Sequence, residues 1–165
     1  MRRFAALALL PLTGAAPLLQ ANAGAAVECK LDYTAAGKAA EALNITRSSG
    51  EDPGAEGGVT KFFNPAGVSV LGQPASLYTE AEFVADGVHR KIFRVDLPMS
   101  FPAARAAMFK LHGKATCDAH ESSAPGEQDC MIHVREDAGA PGRDVDMVIF
   151  ELQGSVAVGC IYSQK

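Results

Sequence analysis

The chain has 165 residues, no tryptophan, 7% aromatic residues and a formal charge of −4. An acidic chain without a long basic stripe is a poor general nucleic-acid binder, and so few aromatics offer no stacking platform for bases or sugars. Nucleic acid is therefore not an expected partner.

Arg2 and Arg3 precede an apolar run from Phe4 to Leu19 that is broken by Pro11 and Pro17, and Ala21-Asn22-Ala23 is a small-x-small cleavage box. This is the pattern of a signal peptide over residues 1–23, too short and too proline-broken for a stable membrane span. A lipoprotein would need a cysteine directly after the box, whereas Glu28 precedes Cys29. The expected mature chain, 24–165, is one domain with formal charge −6, long enough for its own core. No second apolar stretch reaches membrane length, so no integral span is expected after cleavage, and a periplasmic or secreted location follows.

All four cysteines lie in this mature part, as suits an oxidising compartment. They allow three pairings. The expected ones are Cys117–Cys130, closing a short loop, and Cys29–Cys160, tying the chain ends together.

Residues 33–46 are alanine-rich and read as a helix with Gly37 as its weak point. The stretch 47–58, RSSGEDPGAEGG, has no apolar residue larger than alanine and reads as a flexible loop or linker. A short β-run at 67–72 stops at Gly72-Gln73-Pro74. Leu77–Val84 and Arg90–Leu97 then form a hairpin around Asp86-Gly87. A two-residue turn would set Glu80 opposite Phe93. A register one residue away sorts apolar from charged faces better and pairs Glu80 with Arg94, which predicts an odd-length loop with Gly87 at a bulge.

Ser100 and Pro102 open the next helix, Phe101, Ala104, Met108 and Leu111 share one of its faces, and Gly113 stops it. A polar loop leads to a strand at 130–135, and a second loop spans 136–144. The segment Val145–Leu152 is apolar on both faces, as in a central strand covered on both sides, and Gln153-Gly154 turns into Val156–Tyr162. The expected fold is α+β: a largely antiparallel sheet of five to six strands, one packed helix plus an N-terminal helix, and stabilising disulfides.

Two Cys-x-x-His units, Cys117/His120 and Cys130/His133, carry the right atoms for zinc. On a strand, however, residues three apart point to opposite faces, so Cys130 and His133 diverge, and disulfide-bonded sulfurs are not ligands. No metal or other cofactor is expected. No catalytic constellation is visible either: Gly-x-Ser-x-Gly, Ser-x-x-Lys and phosphate-cradling glycine motifs are absent. Glu136, Asp137, Asp144 and Asp146 lack the spacing of an EF-hand loop. The basic run His89–Arg94 divides its charges between two strand faces, which reads as edge protection rather than an anion site. Tyr78, Arg90 and Arg94 are the residue types expected at a protein interface.

These features point to an exported binding protein with a protein partner in the envelope or outside the cell. The alternatives are a carrier with a ligand between the sheet and the Phe101–Leu111 helix, or a hydrolase using His120 or His133 with a nearby carboxylate as base.

Overall fold

A computed structural model describes residues 15–49, 56–118, 128–137, 139 and 143–164. Alanine-rich sequence builds the first two helices, α1 (Ala15–Val27) and α2 (Tyr33–Glu41). The first ends in a Schellman motif: the Lys30 amide donates to the Ala25 carbonyl and the Cys29 amide to that of Ala26. Cys29 takes the left-handed position, φ 55°, that usually falls to glycine. Asp32 then caps α2, its carboxylate accepting from the Ala35 amide at 2.8 Å, while buried Asp137 accepts from the Tyr33 amide at 3.1 Å.

The second helix is shorter than the expected 33–46, because β-branched Ile45 and Thr46 enter strand β1 (Ile45–Ser49) instead. The 47–58 segment is accordingly not all loop. Its two ends belong to β1 and to β2 (Glu56–Phe63), which pair through Arg47 with Phe62 and Ser49 with Thr60, and residues 50–55 lie outside the described residues.

A two-residue-stranded hairpin follows, β3 (Ser69–Val70) with β4 (Gln73–Pro74), and packs against α1. There the Gly24 backbone comes so close to Ser69 that a Cβ would sit 2.3 Å from its carbonyl oxygen. Then come β5 (Leu77–Ala85), β6 (Val88–Leu97), α3 (Phe101–His112), β7 (Asp129–Glu136), β8 (Arg143–Leu152) and β9 (Ser155–Gln164). The main sheet has seven strands in the order β1-β2-β5-β6-β9-β8-β7, and all its neighbours are antiparallel. The architecture is α+β as expected, with three helices and more strands than five or six among the described residues.

The β5–β6 register differs from the expected one. Ala85 pairs with Val88 across a two-residue turn in which Asp86 and Gly87 both have positive φ, 53° and 72°. Glu80 therefore does face Phe93, on the core side of the sheet. An ion pair with Lys91 at 2.8 Å makes that position tolerable, and Arg94 pairs with Asp96 instead.

All three helices cover one face of the sheet. Ala26, Val27, Ala36, Ala40, Ala104 and Met108 join Phe93, Val95, Met147, Ile149, Val158 and Cys160 in a single core. Cys29–Cys160 ties the end of α1 to the middle of β9, and Cys117–Cys130 ties the segment after α3 to β7. Among the described residues, helices cover strand β8 on one side: Val145, Met147 and Ile149 face the core, while Val148 and Phe150 alternate onto the other face. A bulge between His133 and Arg135 turns Arg135 away from the His133 face. Its guanidinium donates instead to the carbonyls of Cys29 and Leu31, behind the end of α1.

One titration follows from this packing. His112, in the last turn of α3, bonds the Glu28 backbone, and its pKa is lowered by burial and by the Arg135 and Lys30 charges. A folded-state pKa below the unfolded one contributes stability above the unfolded value, near pH 6.5, that is lost as pH falls. Urea midpoints should drop more between pH 7 and pH 5 in the native protein than in His112→Asn; parallel curves would remove His112 from the acid response.

Candidate functional site

The Cys-x-x-His segment is a staple. Cys117 and Cys130 are disulfide-bonded, and Cys130 is buried with Ile132 on the core side. His133 points the opposite way, its Nδ1 3.0 Å from Asp146, while its amide donates to Asp118. His120 lies outside the described residues. Among the described residues no cluster of His, Cys, Asp and Glu could hold a metal. Asp137 is occupied by the amides of Tyr33 and Gly139, and Asp146 by His133.

His133 and Asp146 form half of a catalytic arrangement. Burial pushes the Asp146 carboxyl above its ordinary pKa, partly offset by the histidine. Nucleophilic catalysis also needs a hydroxyl or thiol against the free ring nitrogen. Among the described residues none is hydrogen-bonded there.

The three expected interface residues separate. Tyr78 is wholly buried, its ring edge-on to Phe63 at 5.7 Å and its hydroxyl donating to the Ala23 carbonyl at 3.4 Å, so it offers nothing to a partner. Arg94 lies on the helix-free face beside Asp96. Arg90 borders a hollow at the far end of β6, its register placing its side chain on the helix-free face with Phe83. Nor does the basic run protect an edge, because β6 lies between β5 and β9.

That hollow, about 350 Å³, is lined by Tyr33 at the start of α2, by Glu82, His89, Arg90 and Lys91 from the β5–β6 hairpin, and by Arg143, Tyr162 and Gln164 from β8 and β9. The guanidinium of Arg143 stacks on the Tyr33 ring, 3.7 Å from its centroid, and donates to Gln164. Tyr33 is held edge-on to Tyr162 at 5.8 Å, and the Tyr162 hydroxyl donates to the Leu31 carbonyl at 2.6 Å. Burial of Lys91 opposes its charge, but its bond to Glu80 outweighs that and raises its pKa, so the ammonium stays charged here.

No protein-family model, curated protein or solved structure matches the chain. What its residues can do rests on these two surfaces, the hollow and the helix-free face.

That face carries Phe83, Ile92, Phe150 and Ile161, all partly exposed, around buried Val148 and Ala157. The last two lie outside the core formed with the helices. Gly159 sits flat between the side chains of Ile92 and Val148. Two charge pairs lie on this face, Arg94 with Asp96 and His133 with Asp146, and Arg90 and Asp144 stand towards its end beside Ser163. Sequence reading offered Arg90 and Arg94 as interface residues. It had no signal for Tyr33, Arg143 or Gln164, which meet only through strand order.

Proposed function

We propose that this chain is an exported binding protein that engages a protein partner across the helix-free face of its sheet. The observation that carries the reading is an apolar patch, Phe83, Ile92, Phe150 and Ile161, on a sheet face over which, among the described residues, no helix packs. Strands spaced about 4.8 Å apart and rising about 3.3 Å per residue give the β2-to-β7 face a projected area of roughly 600 Å². A standard-size complex buries about 800 Å² per partner, so one rigid face nearly suffices. Around the apolar patch, Arg94 and Asp96 and His133 and Asp146 neutralise each other, which suits an interface better than unpaired charges there would.

Export is supported by the two disulfides and by the signal pattern. Among the described residues no helix is long and apolar enough to cross a membrane. In α1, Leu18 and Leu19 are 65% and 41% exposed, while Ala26 and Val27 are buried. Cleavage after Ala23 would remove the exposed leucines together with buried Ala23, and would keep Ala26 and Val27 in the core. A ligand chamber under α3 finds no such support, because Phe101, Ala104 and Met108 are buried against the sheet.

A photo-cross-linking residue at Phe83 or Phe150, and a control at Ala106 on the exposed side of α3, tests the reading in the native envelope. The face positions should yield an adduct with a different protein that the Ala106 control lacks. Equal adducts at all three sites, or none, would count against it; an adduct with a second copy of this chain would replace the foreign partner with self-association.

A further inference from the structure

We propose that, away from its protein partner, the helix-free face is covered by a second copy of this chain, related to the first by a two-fold axis that runs along β9. Competition between this copy and a foreign protein rests on the binding role proposed above; the self-pairing itself does not.

The first ground is charge. Phe83, Arg90, Ser163 and Asp144 form one row across the face, on β5, β6, β9 and β8. Arg90 and Asp144 thus flank β9 at the same level, kept apart within one copy by two strand spacings, about 10 Å. Among the described residues no carboxylate pairs with Arg90 and no cation with Asp144. A two-fold axis along β9 lays β6 of one copy over β8 of the other and keeps every row at its own level. Arg90 then faces Asp144 of the second copy, and symmetry makes that pairing twice. An axis across the strands, centred on the patch, would instead bring Arg90 over Asp96, which Arg94 already holds, and leave Asp144 over Phe150.

The second ground is fit. Packed sheets stand about 10 Å apart, a gap that a long arginine and a short aspartate span together. On the axis lie Ala157, Gly159 and Ile161. Ala157 and Gly159 are buried between their neighbours and add no bulk, so the copies can close with Ile161 on Ile161. Nearer the middle of the face, Arg94 with Asp96 and His133 with Asp146 are neutralised within each copy.

The third ground is size. Roughly 600 Å² per copy is less than the about 800 Å² of a standard interface, which places the pair among transient ones. Such a cover shields the apolar patch from non-specific contact and yields to a partner that buries more. In the envelope the partner holds the face; in the isolated chain a second copy does.

The test is sedimentation of the exported, disulfide-intact chain over a range of concentrations. The native chain should form a dimer that dissociates on dilution. Arg90→Asp and Asp144→Arg should each weaken the dimer about tenfold or more, because the axis counts each reversal twice. Arg105→Asp, on the exposed surface of α3, carries the same change of charge as Arg90→Asp and should dimerise as the native chain does. An equimolar mixture of the Arg90→Asp and Asp144→Arg chains should associate more tightly than either alone, since each then meets the opposite charge; that recovery also shows both are folded. A native chain that stays monomeric, single variants that dimerise normally, or a mixture no tighter than its parts would overturn the pairing. A monomeric chain whose Phe83 cross-linker still captured a different protein would remove the second copy and leave the binding face standing.

Discussion

Replacing Cys29 and Cys160 together by serine is expected to remove about 5 kcal/mol of stability, the loop-entropy value for a closure somewhat longer than one hundred residues. The two cysteines are 131 positions apart, with Cα atoms 5.3 Å from each other, and both are wholly buried. A loss of that size equals the low end of what a whole domain possesses, about 5–15 kcal/mol. The double variant should therefore be largely unfolded at ambient temperature. The Cys117/Cys130 double variant, whose partners are 13 apart, should lose nearer 3 kcal/mol and stay folded. Thermal melts of the two variants beside the native protein decide the order. If the short loop proves the costlier to open, chain entropy is not the main contribution of these bonds.

Lys91→Met is expected to destabilise by about 3 kcal/mol, the lower range for breaking a buried ion pair from one side. The reason lies in Glu80, which is 3% exposed and faces Phe93. Lys91 neutralises it at 2.8 Å, whereas Lys61 stands 3.6 Å away. Removing Lys91 strands a carboxylate in apolar surroundings. Removing both charges, as Glu80→Leu with Lys91→Met, should recover most of the loss, because burying two ions costs about as much as their attraction returns. Lys91 has a raised folded-state pKa, so the pair contributes fully below the unfolded lysine value and fades as pH climbs through the alkaline range. The gap between native and Lys91→Met midpoints should hold across neutral pH and narrow only in base. A single variant within 1 kcal/mol of native would show that solvent reaches Glu80 after all.

The same ion pair explains where reading the residues in order went astray. Alternation places the hairpin at Asp86-Gly87 and separates Cys130 from His133 correctly, and both sulfur pairings are those observed. It also supposes that charge avoids the core side, and so slides β5 against β6 by one residue. In the folded chain the two-residue turn sets the register, and a lysine two residues before Phe93 compensates the misplaced glutamate. Strand β1 escapes notice because a polar strand at the sheet edge needs no apolar face. The bulge after His133 sends Arg135 to the carbonyls of Cys29 and Leu31, which strict alternation does not foresee. The hollow was not legible as a site. Arg143 stands in what reads as a loop margin, and nothing local connects it to Tyr33, 110 positions earlier.

Strand β9 lies between β6 and β8, so the two halves of the sheet share no border until it arrives. During vectorial synthesis or transport, everything up to Leu97 can pair within itself, yet its inner edge stays bare for some sixty residues more. Closure by long-range pairing is intrinsically slow. Throughout that interval Cys29 is a lone thiol, while Cys117 and Cys130 emerge close together and can join first. Mis-joined sulfur isomers and edge-to-edge clumping are thus the hazards built into this topology, and a shielding chaperone or a disulfide isomerase would be most useful in that window.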